Sequence, residues 1–120
     1  MMSSYEKNNF GEVLYSIVLA FQPHVAVELG ILDAYSTSRI ASGLIKNKAG
    51  HLDAYDLFED YPYKHSNEVD IKSFIDNWEL NDFVTIFKQD AFSVAEKYQD
   101  NSVGFLHVDI SNTGEIVRKI

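Results

Sequence analysis

A chain of 120 residues with 46% hydrophobic and 23% charged residues has the size and balance of one folded domain, not of a disordered segment. Its 10 Lys and Arg against 18 Asp and Glu leave a formal charge of −8, which argues against a nucleic-acid partner and against adsorption to an anionic membrane. The absence of cysteine excludes a disulfide scaffold and thiolate chemistry, and the longest apolar stretch, Ile17 to Phe21, is far too short to cross a bilayer.

Along the chain, Leu14, Ile17, Val18 and Phe21 fall at helical spacing, and Pro23 closes that helix. Val25 to Leu29 then reads as a strand. Ile40, Ala41 and Leu44 give a shorter helical stripe. Leu52 to Phe58 is the second strand, and Glu59 to Glu68, which holds Pro62, reads as an ordered surface loop. Ile71, Phe74, Ile75 and Trp78 repeat the helical spacing before the third strand, Phe83 to Phe87. A helix over Ala91 to Tyr98 follows, then the fourth strand, Val103 to Val108, and a helix start at Asn112 with Glu115. The strands are short and nearly continuous in apolar character, as strands buried on both faces are. Strands alternating with helices predict an α/β domain over residues 1–120, a Rossmann-like parallel sheet with helices on both faces.

In an open parallel sheet the ligand binds beyond the carboxyl ends of the strands. Four places lie there. Glu28 and Gly30 end the first strand in a turn, with Ser36 and Thr37 where the next helix begins. Those two residues suit either a helix cap or a site for a carboxylate or phosphate. Asp56 ends the second strand, where an acidic side chain accepts from ribose hydroxyls or is simply a solvated loop carboxylate. Asp90 and Ala91 follow the third strand, with Asp90 either a helix N-cap or an acceptor for an adenine amino group. His107 and Asp109 lie on one side of the fourth strand by alternation. His107 reads there as a buried imidazole bonded to a backbone group, and Asp109 as the better placed for chemistry. P-loop, dinucleotide-binding and nucleophile-elbow sequences are all missing.

The segment VAVELGILDAYSTSRIASGL resembles the first motif of class I S-adenosylmethionine-dependent methyltransferases, on the side of the small-molecule O-methyltransferases. HLDAYDLFEDYPY, FKQDAF and FLHVDISN continue the likeness in order and spacing. The resemblance implies the strand order 3-2-1-4. It implies S-adenosylmethionine as cofactor, Glu28 and Gly30 in the turn beneath its methionine part, and Ser36 and Thr37 near its carboxylate. It places Asp56 at the ribose, Asp90 and Ala91 at the adenine, and Asp109 beside the reactive methyl, where metal-using members hold a divalent metal. Two features depart from the family. Ala34 replaces the second glycine, which is tolerable only if φ stays negative there. The chain also stops after the fourth strand and part of a helix, so the domain is incomplete and lacks the half that supplies most of the acceptor pocket.

The expected function is methyl transfer to a small-molecule acceptor in the cytoplasm. The alternative is a non-catalytic remnant that binds or self-assembles. A receiver or flavodoxin-type domain fits less well, because Glu28 and Asp90 do not supply the receiver's acidic cluster and phosphoacceptor. An apolar edge at Val103 to Val108 predicts a homodimer joined along the fourth strand.

Overall fold

The computed structural model describes residues 9–31, 34–58 and 67–109, except the side chain of Phe92. Residues 59–66 of the loop expected over Glu59 to Glu68, Leu32 and Asp33 of the glycine turn, and the expected helix start at Asn112 lie outside the described residues, while Glu68 itself already belongs to a helix.

Helix α1 spans Phe10–Phe21 and ends at Gln22 in the left-handed conformation, whose N–H donates to the Val18 carbonyl at 2.9 Å. Of the apolar stripe read from the sequence, only Leu14 and Val18 are buried. Ile17 is 37% and Phe21 75% exposed, and Phe10 and Val13 join them on one outward line. Strand β1 (Val25–Leu29) follows Pro23, which has no N–H to give a ladder. Helix α2 (Tyr35–Asn47) buries Ile40, Ala41 and Leu44 completely, each larger aliphatic contributing roughly 1.5–3 kcal/mol.

Strand β2 (His51–Asp56) runs beside β1 in parallel, with Val25 opposite His51 and Leu29 opposite Tyr55. It stops two residues earlier than its apolar run suggests, because Phe58 turns into a left-handed backbone held by the Asp56 carboxylate. Helix α3 (Glu68–Asn77) begins in a reciprocal cap. The Asn67 side chain accepts from the Asp70 N–H at 2.8 Å and donates to the Asp70 carboxylate at 2.9 Å. Ile71 and Ile75 are buried as expected, while Trp78 is 68% exposed beyond the helix end. Strand β3 (Val84–Lys88) pairs with β2, and β4 (Phe105–Val108) pairs with the other side of β1. The sheet is parallel throughout, in the order β3-β2-β1-β4 that the resemblance implies.

Two differences have local causes. The segment after β3 forms two 3₁₀ turns, Ala91–Ser93 and Ala95–Lys97, in place of one α-helix. Its N–H groups reach back three residues, as from Val94 to Ala91 and from Lys97 to Val94. The Ser93 hydroxyl takes the Asp90 carbonyl at 2.8 Å. Val103 is not yet strand, since the β4 ladder opens only where Gly104 N–H meets the Val25 carbonyl.

Alternation divides the core in two. Ala26, Leu52, Ala54, Val84 and Ile86 face the three α-helices, while Val27, Leu29, Tyr55 and Val94 form a smaller cluster on the other face with the 3₁₀ segment. On that second face Tyr55 stacks on Phe87 at 4.8 Å, and the Lys97 ammonium lies over both rings. Leu106 of β4 remains 52% exposed.

The turn from α2 into β2 depends on Gly50, which has φ +94 and sits where a Cβ would overlap the Pro23 carbonyl and crowd Leu44. Gly50→Ala is therefore expected to cost more than about 2 kcal/mol, since strain at positive φ adds to the clash. A urea titration with an unchanged midpoint would contradict this.

Candidate functional site

Parallel pairing brings all four strand ends to one edge of the sheet. Asp109 N–H donates to the Leu29 carbonyl at 2.8 Å, Gly30 N–H to the Tyr55 carbonyl at 2.9 Å, and Gln89 N–H to the Asp56 carbonyl at 3.0 Å. The residues expected from the sequence therefore emerge side by side from β4, β1, β2 and β3.

Glu28 is the most constrained of them. Its side chain points into the helix-covered face and is 0% exposed. A carboxylate there needs donors for its lone pairs, because an unpaired buried charge is costly. Three side chains provide them: Ser36 Oγ at 2.6 Å, Thr37 Oγ1, and His107 Nδ1 at 2.9 Å. The two hydroxyls come from the first turn of α2, and the imidazole from β4, where His107 is the register partner of Glu28. Neither Ser36 nor Thr37 caps the helix, since Ala34 is the N-cap residue and no side chain caps it; their hydroxyls are turned to Glu28. His107, mostly buried, meets the Glu28 carboxylate at 2.9 Å, a partner the sequence did not suggest.

The turn itself lies on left-handed backbone. Gly30 has φ 100, open to glycine at little cost. Ala34 has φ 70, so the condition under which an alanine is harmless there is not met, and its buried methyl sits in a conformation costing roughly 1–2 kcal/mol.

Asp56 is half-buried and already engaged. Its carboxylate accepts from the backbone N–H of Ile31 and, at 2.6 Å, from that of Phe58, which ties the glycine turn to the segment after β2. Burial raises its pKa, with the Glu28 charge adding to that rise and the backbone donors opposing it. Asp90 and Asp109 are exposed, and Ala91 is half-buried at the start of the 3₁₀ turn. The Asp90 carbonyl accepts from Ser93 N–H and opens the 3₁₀ turn that stands in place of the helix it was expected to cap. Among the described residues no three His, Asp or Glu side chains come together as a metal ion requires, so Asp109 gains no partners for the metal role the resemblance implied.

One network was not anticipated from the sequence. On the second face Tyr98 donates to the Asp53 carboxylate at 2.6 Å and meets the Tyr55 hydroxyl at 2.7 Å. Burial and the Asp53 acceptor hold the Tyr98 phenol protonated well above its ordinary range. The only sequence signal was an acidic residue amid the apolar run of β2.

Comparison with known proteins adds three findings. A family model described as a methyltransferase domain matches residues 27–120. No curated protein sequence matches. Solved structures do. The SAH-bound methyltransferase PaMTH1 of Podospora anserina superposes with a TM-score of 0.73 at 17% identity, over 99% of this chain and 47% of that one. An O-methyltransferase of Bacillus cereus in complex with SAH gives 0.66 at 23%, over 91% and 46%. The O-methyltransferase TomG of Streptomyces achromogenes, in complex with SAM, gives 0.69 at 17%, over 92% and 45%. The fold is shared, and this chain spans about half the length of each.

Titration of the Glu28 pair sets a pH dependence. Burial alone lowers the His107 pKa, but the hydrogen bond and charge of Glu28, with the charge of Asp109, outweigh it and leave it raised above 6.5. A raised folded-state value means the contribution is complete below 6.5 and is lost as pH rises through the folded pKa. Thermal stability is expected to decline on the alkaline side of 6.5, and His107→Asn to flatten that decline. Parallel curves for the two proteins in this window would refute the assignment.

Proposed function

The chain belongs to the methyltransferase-domain family, and from that premise we propose that it binds S-adenosylmethionine at the carboxyl ends of its strands and serves methyl transfer to a small-molecule acceptor. The observation that carries this reading is the convergence of the Gly30 turn, Asp56, Asp90 and Asp109 on one sheet edge, in the strand order of the family. The cofactor supplies an electrophilic methyl group on a sulfonium.

Every other role falls to the chain. Gly30, without a side chain and at positive φ, allows close approach of backbone to ligand at the β1 end. Asp56 holds the turn through Ile31 and offers its remaining acceptor capacity to a ribose hydroxyl. Asp90 and Ala91 border the base. Asp109, exposed at the end of β4, orients the acceptor and takes its proton as the nucleophile attacks. Ser36 and Thr37 act one step removed. Their hydroxyls are committed to Glu28, so they shape the first turn of α2, and a ligand carboxylate would meet that turn's backbone N–H groups. Among the described residues no group of three His, Asp or Glu side chains forms a metal site, and no step is assigned to a metal. No helix among the described residues is long and apolar enough to cross a membrane, and we place the protein in the cytoplasm.

A second reading, a non-catalytic module that assembles with itself, is favoured by β4. It is an edge strand of Phe, Leu, His and Val without a Lys or a proline to protect it, and Leu106 is half exposed. A homodimer joined along Val103 to Val108 would cover that edge.

Calorimetric titration with S-adenosylhomocysteine is expected to give a Kd on the order of micromolar, weakened at least about tenfold, or 1.4 kcal/mol, by Asp56→Ala. No heat from folded protein would remove the cofactor assignment. Sedimentation should show a dimer that Leu106→Lys converts to monomer. A monomeric wild-type protein at high concentration would remove the edge pairing and leave the ligand reading intact.

A further inference from the structure

We infer that His107 is a positioning residue of the candidate site, fixing the carboxyl end of β4, and with it Asp109, against the glycine turn of β1 by its hydrogen bond to Glu28. The inference rests on the reading of that edge as an S-adenosylmethionine site, and it assigns a role to His107, which the roles implied by the resemblance leave out.

Among the described residues β4 is short and hydrogen-bonded to β1 alone. Its exit is held by one backbone bond, Asp109 N–H to the Leu29 carbonyl, immediately before Gly30. One register position upstream of Leu29 and Val108, Glu28 and His107 face each other, and their side chains meet at 2.9 Å inside the helix-covered face. On its other side Glu28 is opposite Ala54 of β2, whose methyl offers no donor. Among the described residues the side-chain partners of the Glu28 carboxylate come from two directions, the α2 hydroxyls and the β4 imidazole. The hydroxyls fix its position relative to α2. Only His107 ties it to β4.

Removing the imidazole leaves Oε2 with the Ser36 hydroxyl as its one side-chain donor among the described residues, in a fully buried place. A buried carboxylate short of a donor draws in water or shifts toward other donors. β4 is the element that yields, since among the described residues it has a neighbour on one side only. Asp109 follows His107 by two residues and lies on the same face, so displacement of β4 carries it away from Gly30. An asparagine amide, whose nitrogen stands close to the place of the imidazole Nδ1, keeps a donor for Glu28 without the ring.

The test compares wild type, His107→Leu and His107→Asn, each checked for native circular dichroism. Two quantities are read: S-adenosylhomocysteine affinity by calorimetry, and the exchange rate of the Asp109 amide by NMR. Positioning predicts that His107→Leu weakens binding and speeds Asp109 exchange, each at least about tenfold, and that His107→Asn restores both to within about threefold of wild type. Equal affinity and exchange in all three proteins overturns it. So does an asparagine variant that folds but behaves like the leucine one, since the hydrogen bond would then not be what matters. Where His107→Leu does not fold, the asparagine variant decides: near-wild-type binding and exchange support the role, and their loss overturns it. Failure of wild type itself to bind the ligand removes the cofactor reading, and the exchange rates still test the coupling of β4 to β1.

Discussion

A carboxylate with no exposure to water must be surrounded by donors, and the need to surround Glu28 organises this molecule. Glu28 stands on the central strand, so whatever satisfies it also joins the elements around it. Ser36 and Thr37 bring the first turn of α2 down onto β1, and His107 brings in β4. Replacing one partner leaves the others facing a buried, under-satisfied charge, and that asymmetry makes such a cluster a device for specificity of arrangement more than for net stability. The glycine turn begins two residues later. Its geometry, and that of Asp56 bound to Ile31, is set on this foundation.

The fold was legible in the sequence because its signal is periodic. β1 matches its apolar run residue for residue, and α2 buries the aliphatic residues that spacing selects. Legibility fails where a different force sets the boundary. Apolar character continues through Leu57 and Phe58, but the Asp56 side chain bends the backbone and ends β2. Helical spacing continues over Ala91 to Tyr98, but side-chain bonds from Ser93 and Tyr98 hold the segment in 3₁₀ turns. The stripe on α1 includes Ile17 and Phe21, which periodicity cannot distinguish from Leu14 and Val18 although they point away from the core.

The candidate site was half legible. Strand-end positions are readable once strands are found, and Glu28, Gly30, Asp56, Asp90 and Asp109 do share one edge. What the sequence conceals is pairing across long separations. A hydroxyl at a helix start serves a ligand, the backbone or a buried acid equally well by pattern, and only the register of β1 against β4 identifies Glu28 as the acceptor beside His107. The lone acid within Val-Ala-Val-Glu-Leu was the available hint, since a charge within a doubly buried strand implies a partner somewhere.

The separation between those partners has a kinetic meaning. Glu28 and His107 are 79 residues apart in the chain although they touch in the fold. Parallel strands joined by long crossovers give high contact order, and the loop entropy of bringing β4 to β1 precedes any return from the pairing. During synthesis β1, α2 and β2 leave the ribosome long before β4 does. The nascent chain thus carries its central strand with one side unpaired and its buried acid short of a donor. The interval before β4 arrives is the one in which that side is open to pairing with other chains and to chaperones, and the imidazole is among the last groups to reach its place.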